Sequence, residues 1–288
     1  SEGTNLNLRY QNNTIIADSL FGIKYNLSNF DLNKYGFNHV TSEKTIGLYQ
    51  NNNASQLAIL TDGIYNNIDF TVNTLDNQTS LLNALSGLNL TYFKRAPSQL
   101  FDKDAKSLNQ RVASNSNKDF VTITYQVIAP PHSQLYVSIP NISWSDDNNH
   151  SLSITVNGVT KNQVTDNTFD FFDLGYFETE SMVTIKLSFP GNKAISFDNP
   201  SFYALDTQNY QIAMDTINER DSKVTTSKNK VFVDYSSKTN ASLFYTIPYD
   251  KGWTATINHK KVKIQRAQKG FMKVDVPSGK GKVVLTFI

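Results

Sequence analysis

The chain contains no cysteine. That excludes a disulfide scaffold, cysteine-ligated zinc and a cysteine nucleophile. It suits a cytoplasmic protein and an exported protein of a Gram-positive bacterium equally, so it does not fix the compartment. No apolar run approaches the roughly 18–20 residues that span a bilayer, and no charged-then-apolar leader opens the sequence. If the protein is exported, its signal or anchor lies outside these residues. The four histidines, His39, His132, His150 and His259, show no metal-ligand spacing of the H-E-x-x-H kind. There is no G-x-S-x-G elbow and no G-x-G-x-x-G fingerprint. Arginine is scarce, 5 against 22 lysines, while asparagine reaches 33. An AT-rich genome accounts for both biases. The eight N-x-S/T sequons, at Asn12, Asn26, Asn53, Asn77, Asn89, Asn141, Asn149 and Asn240, are then expected by chance.

What is present is core material. Apolar residues make up 39% of 288, and aromatics 12%. That composition supports folding over most of the length, in about two domains. The net charge of +2 hides an asymmetry. Residues 221–288 carry thirteen Lys/Arg and four Asp/Glu; residues 1–220 carry fourteen and twenty-one. A basic C-terminal segment beside an acidic body points to an anionic contact. The plainer reading is lysine solvating the outer faces of strands, as at Lys261, Lys263 and Lys273.

The pattern predicts a mainly β protein with a small α+β part at the N-terminus. Residues 17–28 read as a helical turn leading into a strand, with further strands at 44–51 and 56–62. The segment DNQTSLLNALSG (76–87) predicts a helix. Asp76 or Asn77 would cap it, Leu81, Leu82 and Leu85 would form its apolar stripe, and Gly87 would end it. Residues 96–120 read as a polar connection. From 120 to 205, six alternating segments follow one another, which predicts a β-sandwich of jelly-roll type. Asn157-Gly158 is a hairpin turn signal. Tyr210, Ala213, Met214 and Ile217 recur at helical spacing, so 207–220 is predicted as a helix joining two sandwiches. Alternation then resumes to the C-terminus. The expected modules are 1–95 (α+β), 96–206 (sandwich) and 207–288 (helix plus a second, basic sandwich). The last strand still runs at Ile288, which suggests a piece of something larger.

Three stretches invite a chemical reading. In SWSDDNNH (143–150), Asp146, Asp147, Asn148 and His150 could ligate calcium and Trp144 could stack on a sugar. The spacing is not that of an EF-hand, and Asp and Asn also build plain turns. In DNTFDFFDLG (166–175), carboxylates sit among phenylalanines. Paired carboxylates serve glycosidases, but a strand with aromatics inward and acids outward is the simpler account. SGKGK (278–282) fails the phosphate-loop pattern and reads as a glycine turn. Asn258-His259 occupies a hairpin turn position, where histidine tolerates positive φ. Trp253 alternates with Ala255 and Ile257 and is expected in the core. No residue stands out as catalytic, and no cofactor is implied beyond the calcium just named.

The closing pattern PYDKGWTATIN…GFMKVDVPSGKGKVVLTF resembles the C-terminal extracytoplasmic region of the YfhO-like bacterial multispanning membrane proteins. DSLFGIKYNLS (18–28) and NQTSLLNALSG (77–87) are similar to that family's entry strand and short helix, in the right order. Two departures affect loops: Asn258-His259 stands where the family often has Asn-Gly, and YQNNNASQLAIL (49–60) lacks its proline-containing segment. The resemblance implies a polytopic parent whose membrane part is similar to glycosyltransferases using polyprenyl-phosphate-linked sugars. In Gram-positive members it implies glycosylation of lipoteichoic acid at the outer membrane face. The expectation is therefore a non-catalytic extracytoplasmic domain. Its partners would be its own transmembrane domain and an anionic wall polymer or glycolipid, not nucleic acid. The alternative is a carbohydrate-binding or adhesion module of a cell-surface protein.

Overall fold

The structure, a computed structural model, describes residues 14–103, 120–144, 150–165, 171–190 and 195–288. The chain divides into two compact units: one is built around Phe93–Thr207, the other from Ile15–Tyr92 together with Gln208–Ile288.

The discontinuous unit opens with α1 (Ile15–Leu20), every residue of which is buried. Then come β1 (Tyr25–Ser28), β2 (Phe37–Glu43), β3 (Ile46–Asn51) and β4 (Ala58–Leu60). The first three form an antiparallel sheet in the order β1-β3-β2. Helix α2 (Thr74–Ser86) follows, burying Leu81, Leu82 and Leu85 as its spacing requires. Its cap differs from expectation. Asn73, not Asp76 or Asn77, accepts the Asp76 N–H at 3.0 Å. Asn77 instead turns back, accepting from the Thr71 N–H at 2.8 Å and donating to its carbonyl at 2.7 Å. Gly87, at φ 74°, ends the helix as expected.

The continuous unit carries β5 (Phe93–Arg95), β6 (Ser98–Lys103), β7 (Phe120–Ala129), β8 (Ser133–Ser138), β9 (Ser143–Trp144), β10 (His150–Val156), β11 (Val159–Thr165), β12 (Phe171–Phe177), β13 (Ser181–Pro190), β14 (Ile195–Ser196) and β15 (Ser201–Asp206). A five-stranded sheet, β11-β10-β13-β7-β6, and a four-stranded sheet, β12-β8-β15-β5, share one core. Inward residues alternate along β13: Val183, Ile185, Leu187 and Phe189 are all buried. Asn157 and Gly158, at φ 46° and 86°, make the expected hairpin between β10 and β11. The polar stretch read as a connection begins with a strand, β6, which pairs with β7 across a bulge.

The chain then returns to the discontinuous unit through α3 (Thr207–Asn218), β16 (Ser222–Ser227), β17 (Lys230–Ser237), β18 (Ala241–Tyr245), β19 (Trp253–Ile257), β20 (Lys260–Val262), β21 (Gln265–Ala267), β22 (Phe271–Val276) and β23 (Gly279–Phe287). Sheets β16-β17-β23-β19-β20 and β21-β22-β18-β4 enclose a second core. Strand β4 comes from the N-terminal segment and pairs Leu60, Ile59 and Ala58 with Leu243, Phe244 and Tyr245. Residues 15–92 of the first expected module and 208–288 of the third are therefore one body, because the second sandwich is completed by a strand from the first hundred residues. Asn258 and His259, at φ 46° and 71°, form the turn between β19 and β20 as expected.

Candidate functional site

The basic C-terminal segment folds into a defined surface. On β17, β23 and β19 alternate side chains enter the core, Val224 of β16 and Val262 of β20 pack against its edge, and the intervening side chains face outward. The register aligns the outward set. Lys223 lies opposite Asp234, and Asp234 opposite Lys282. Lys280 lies opposite Ser236, Lys230 opposite Thr286, and Lys261 opposite Thr256. All five lysines are exposed. Asp234 is the one acid on these strands, and Lys282 reaches it at 3.8 Å. Lys280 and Lys282, two apart on one strand, stand about 6.8 Å from each other along it, with neighbouring strands about 4.8 Å away. This array has the geometry to follow a chain of anionic groups by charge without enclosing any one of them.

A cleft of about 770 Å³ opens where Lys223, Asp234 and Lys280 meet Glu219, Arg220 and Asp221. Its signs are mixed. Gly281 is required at its wall, since a Cβ there would stand 2.6 Å from the Tyr235 ring. Arg220 is committed elsewhere: it donates to the carbonyls of Leu60, Leu85 and Ser86, each at 2.6 Å. Burial lowers its pKa, opposed by the charge of Asp62.

The residues singled out from sequence are distributed as follows. Trp144 is 2% exposed, in the core of the continuous unit, with its ring 6.2 Å from that of Phe189. Its indole is therefore core, not a surface platform for sugar. Asp146 and Asp147 lie outside the described residues, as do Asp166 and Asp170. Asp173 accepts from Gln134 Nε2 at 2.8 Å and from the Gly175 N–H at 2.7 Å, which fixes a bulge in β12. Ahead of that bulge the expected alternation holds: Phe172 enters the core, while Phe171, on the other face with Asp173, is buried by stacking on Tyr136 at 5.0 Å. Trp253 is only partly buried, at the core's edge, 5.1 Å from the Phe287 ring. Among the described residues no three His, Cys, Asp or Glu converge as metal ligands.

Lys273 corrects the lysine reading. It is buried, with Nζ donating to the Tyr65 carbonyl at 2.6 Å and pairing with Asp275 at 3.1 Å. The segment after β4 covers that sheet face: Tyr65 stacks edge-on against Phe244 at 5.0 Å and donates to Gln268 Oε1 at 2.8 Å. A second buried pair, Asp18 with Lys34 at 2.5 Å, lies beside Ser19 and Tyr210, whose hydroxyls are 2.6 Å apart. Sequence reading missed both pairs. Arginine scarcity held an unread signal: Arg95 lies over Tyr203, Arg266 over Tyr249, and Arg220 forks onto three carbonyls. Each uses a flat guanidinium that lysine cannot replace.

Among the described residues no helix is long and apolar enough to cross a membrane. The chain is 26% identical over 113 residues to YfhO of Bacillus subtilis (strain 168), a stretch covering 36% of this chain and 13% of that protein. Among solved structures, a Paenibacillus cycloisomaltooligosaccharide glucanotransferase superposes at a TM-score of 0.27 and 7% identity, over 68% of this chain and 46% of that one. The pilus backbone protein RrgB of Streptococcus pneumoniae gives 0.20 at 9% identity, over 67% and 82%. Overlaps this slight carry no functional inference. The family described as bacterial membrane protein YfhO matches residues 1–288. With the whole chain matched, this protein belongs to the YfhO family of bacterial membrane proteins.

Proposed function

We propose that this chain is a non-catalytic extracytoplasmic part of a polytopic membrane protein that resembles lipid-linked-sugar glycosyltransferases. In this reading the parent acts in cell-envelope glycosylation of the lipoteichoic acid type, and the lysine face steers the anionic acceptor polymer. Membership of a membrane-protein family supports the setting. The observation that carries the reading is the outward face of β16-β17-β23-β19-β20, where five exposed lysines stand against one aspartate. Such a face attracts an extended polyanion over about a Debye length, roughly 10 Å at moderate salt, and loses its hold as salt rises.

The test is titration of the purified chain with lipoteichoic acid at low and high salt. Binding is expected at low salt and should weaken steeply with added salt. The triple variant Lys230→Glu, Lys261→Glu, Lys280→Glu should weaken it by about tenfold or more. These side chains are exposed, so the variant's melting curve should match the parent's. No binding at low salt, or binding indifferent to the triple reversal, would refute the steering role.

A further inference from the structure

The sheet β1-β3-β2 exposes an apolar outer face. Tyr25 is 53% exposed, Leu27 72% and Ile46 44%. Register explains the clustering: Leu27 lies opposite Leu48, and Tyr25 and Ile46 share its side of the sheet. The opposite side is firmly held. Tyr49 is buried there, Asn51 donates to Ser19 Oγ at 3.1 Å and to the Ile23 carbonyl at 3.0 Å, and the Asp18–Lys34 pair lies beneath. Apolar side chains gathered on one face of a rigid sheet mark a contact surface rather than scattered exposure.

We infer that this face rests on the lipid bilayer, with Tyr25, Leu27 and Ile46 entering the headgroup boundary. Two observations select lipid as the occupant. The chain belongs to a family of membrane proteins, so a bilayer is the apolar surface set beside such a patch. The rim is also that of an interfacial surface: Lys24 and Lys44 are exposed beside the patch, with aliphatic stems that can lie along it and ammonium groups that stay in water. Tyr25 supplies an aromatic body with a polar tip. Asp31 and Glu43, also exposed, balance the two lysines. Contact at this face is therefore apolar and indifferent to headgroup charge, unlike the lysine face. The inference rests on family membership and not on the polymer-steering reading.

The cysteine-free sequence permits a clean test. A polarity-sensitive dye is placed at Leu27→Cys, and separately at Thr254→Cys on the lysine face. The full chain is then mixed with phosphatidylcholine vesicles containing brominated acyl chains, at low and high salt. The dye at 27 should shift to the blue and be quenched at both salts; the dye at 254 should do neither. In co-sedimentation, Leu27→Ser with Ile46→Ser should lower partitioning by roughly tenfold, with an unchanged melting curve and unchanged lipoteichoic acid binding. An unquenched dye at 27 overturns the inference. So does quenching that requires anionic lipid and vanishes in high salt, since the lysine face would then be responsible. A lipid-independent blue shift that grows with protein concentration would assign the face to a second copy of the chain, and equal partitioning of the double serine variant would also defeat the inference.

Discussion

Arg220 shows how one side chain can hold several elements. Its guanidinium satisfies the terminal carbonyls of α2 at Leu85 and Ser86 and the Leu60 carbonyl of β4. A cation at a helix C-terminus also complements the dipole. Arg220→Ala should cost about 2–3 kcal/mol in urea unfolding, and Arg220→Lys should recover less than half of that, because an ammonium cannot fork. Two carboxylates have opposite pH signatures. Burial pushes Asp18 above its ordinary 3.8, with the Lys34 charge and hydrogen bond pulling it only partly back. Ionised Asp18 is thus disfavoured in the fold, so its contribution is complete below about pH 3.8 and declines as pH rises through the raised value. For Asp275, burial pushes upward, but hydrogen bonds from Ser242, Gln265 and Lys273 and the Lys273 charge together bring it below 3.8. Its contribution is present above pH 3.8 and lost as pH falls through the lowered value. The stability gap between wild type and Asp275→Asn, followed by urea midpoint against pH, should accordingly narrow in acid. Lys34→Met should cost about 3–5 kcal/mol by stranding a buried carboxylate, and adding Asp18→Asn should restore much of it. None of this was legible beforehand. Charge type can be read from a sequence, but burial and partner, which set the sign, are made by residues far away in the chain.

At the scale of elements, local chemistry was readable where periodicity was strong. The Leu81, Leu82 and Leu85 stripe and the Gly87 terminus of α2 follow from spacing alone. The cap lay three residues upstream of expectation, since Asp76, Asn77 and Asn73 are all competent caps and only the bend at Thr71 selects among them. Asn73→Ala should therefore destabilise by about 1 kcal/mol, whereas Asp76→Ala should change much less. Gly87→Ala should cost about 1 kcal/mol through backbone strain at φ 74°, because its new Cβ would meet Asp62 only at an ordinary 3.7 Å. Both costs would appear as shifts in denaturant midpoint at constant m-value. Strands β2 and β6 were overlooked for a shared reason: each lies at a sheet edge, and β2 exposes all but its first residue, so no alternation is imprinted on it.

At the scale of the molecule, the decisive fact is that residues 15–92 and 208–288 make one body. Strand β4 completes the sheet containing β18, and the segment after it covers that sheet's outer face over Lys273. A fragment of residues 208–288 should therefore fail to fold, while 93–207 should fold alone. Co-expressing 14–92 with 208–288 should restore a cooperative transition. Dispersed amide resonances in each fragment would decide the matter, and a folded 208–288 would contradict the shared-body account. The same architecture places the lysine face on one rigid sheet. Its effect on an anionic polymer should depend on the five-strand register and not merely on total charge.

By itself the sequence determined that the chain is mainly β, where its strong turns fall, that α2 and α3 are helices, and that the C-terminal segment is basic. These follow from periods of two and 3.6 and from turn residues, all encoded within about a dozen positions. Only the tertiary structure decided which lysines face water and which are buried, that Trp144 is core, and that the N-terminal segment supplies a strand to the C-terminal sandwich. The shared strand and the burial of Lys273 depend on pairings about two hundred positions apart, and the burial of Trp144 on partners such as Phe189 and Ile195, so register and burial are set by a partner surface that no local pattern records.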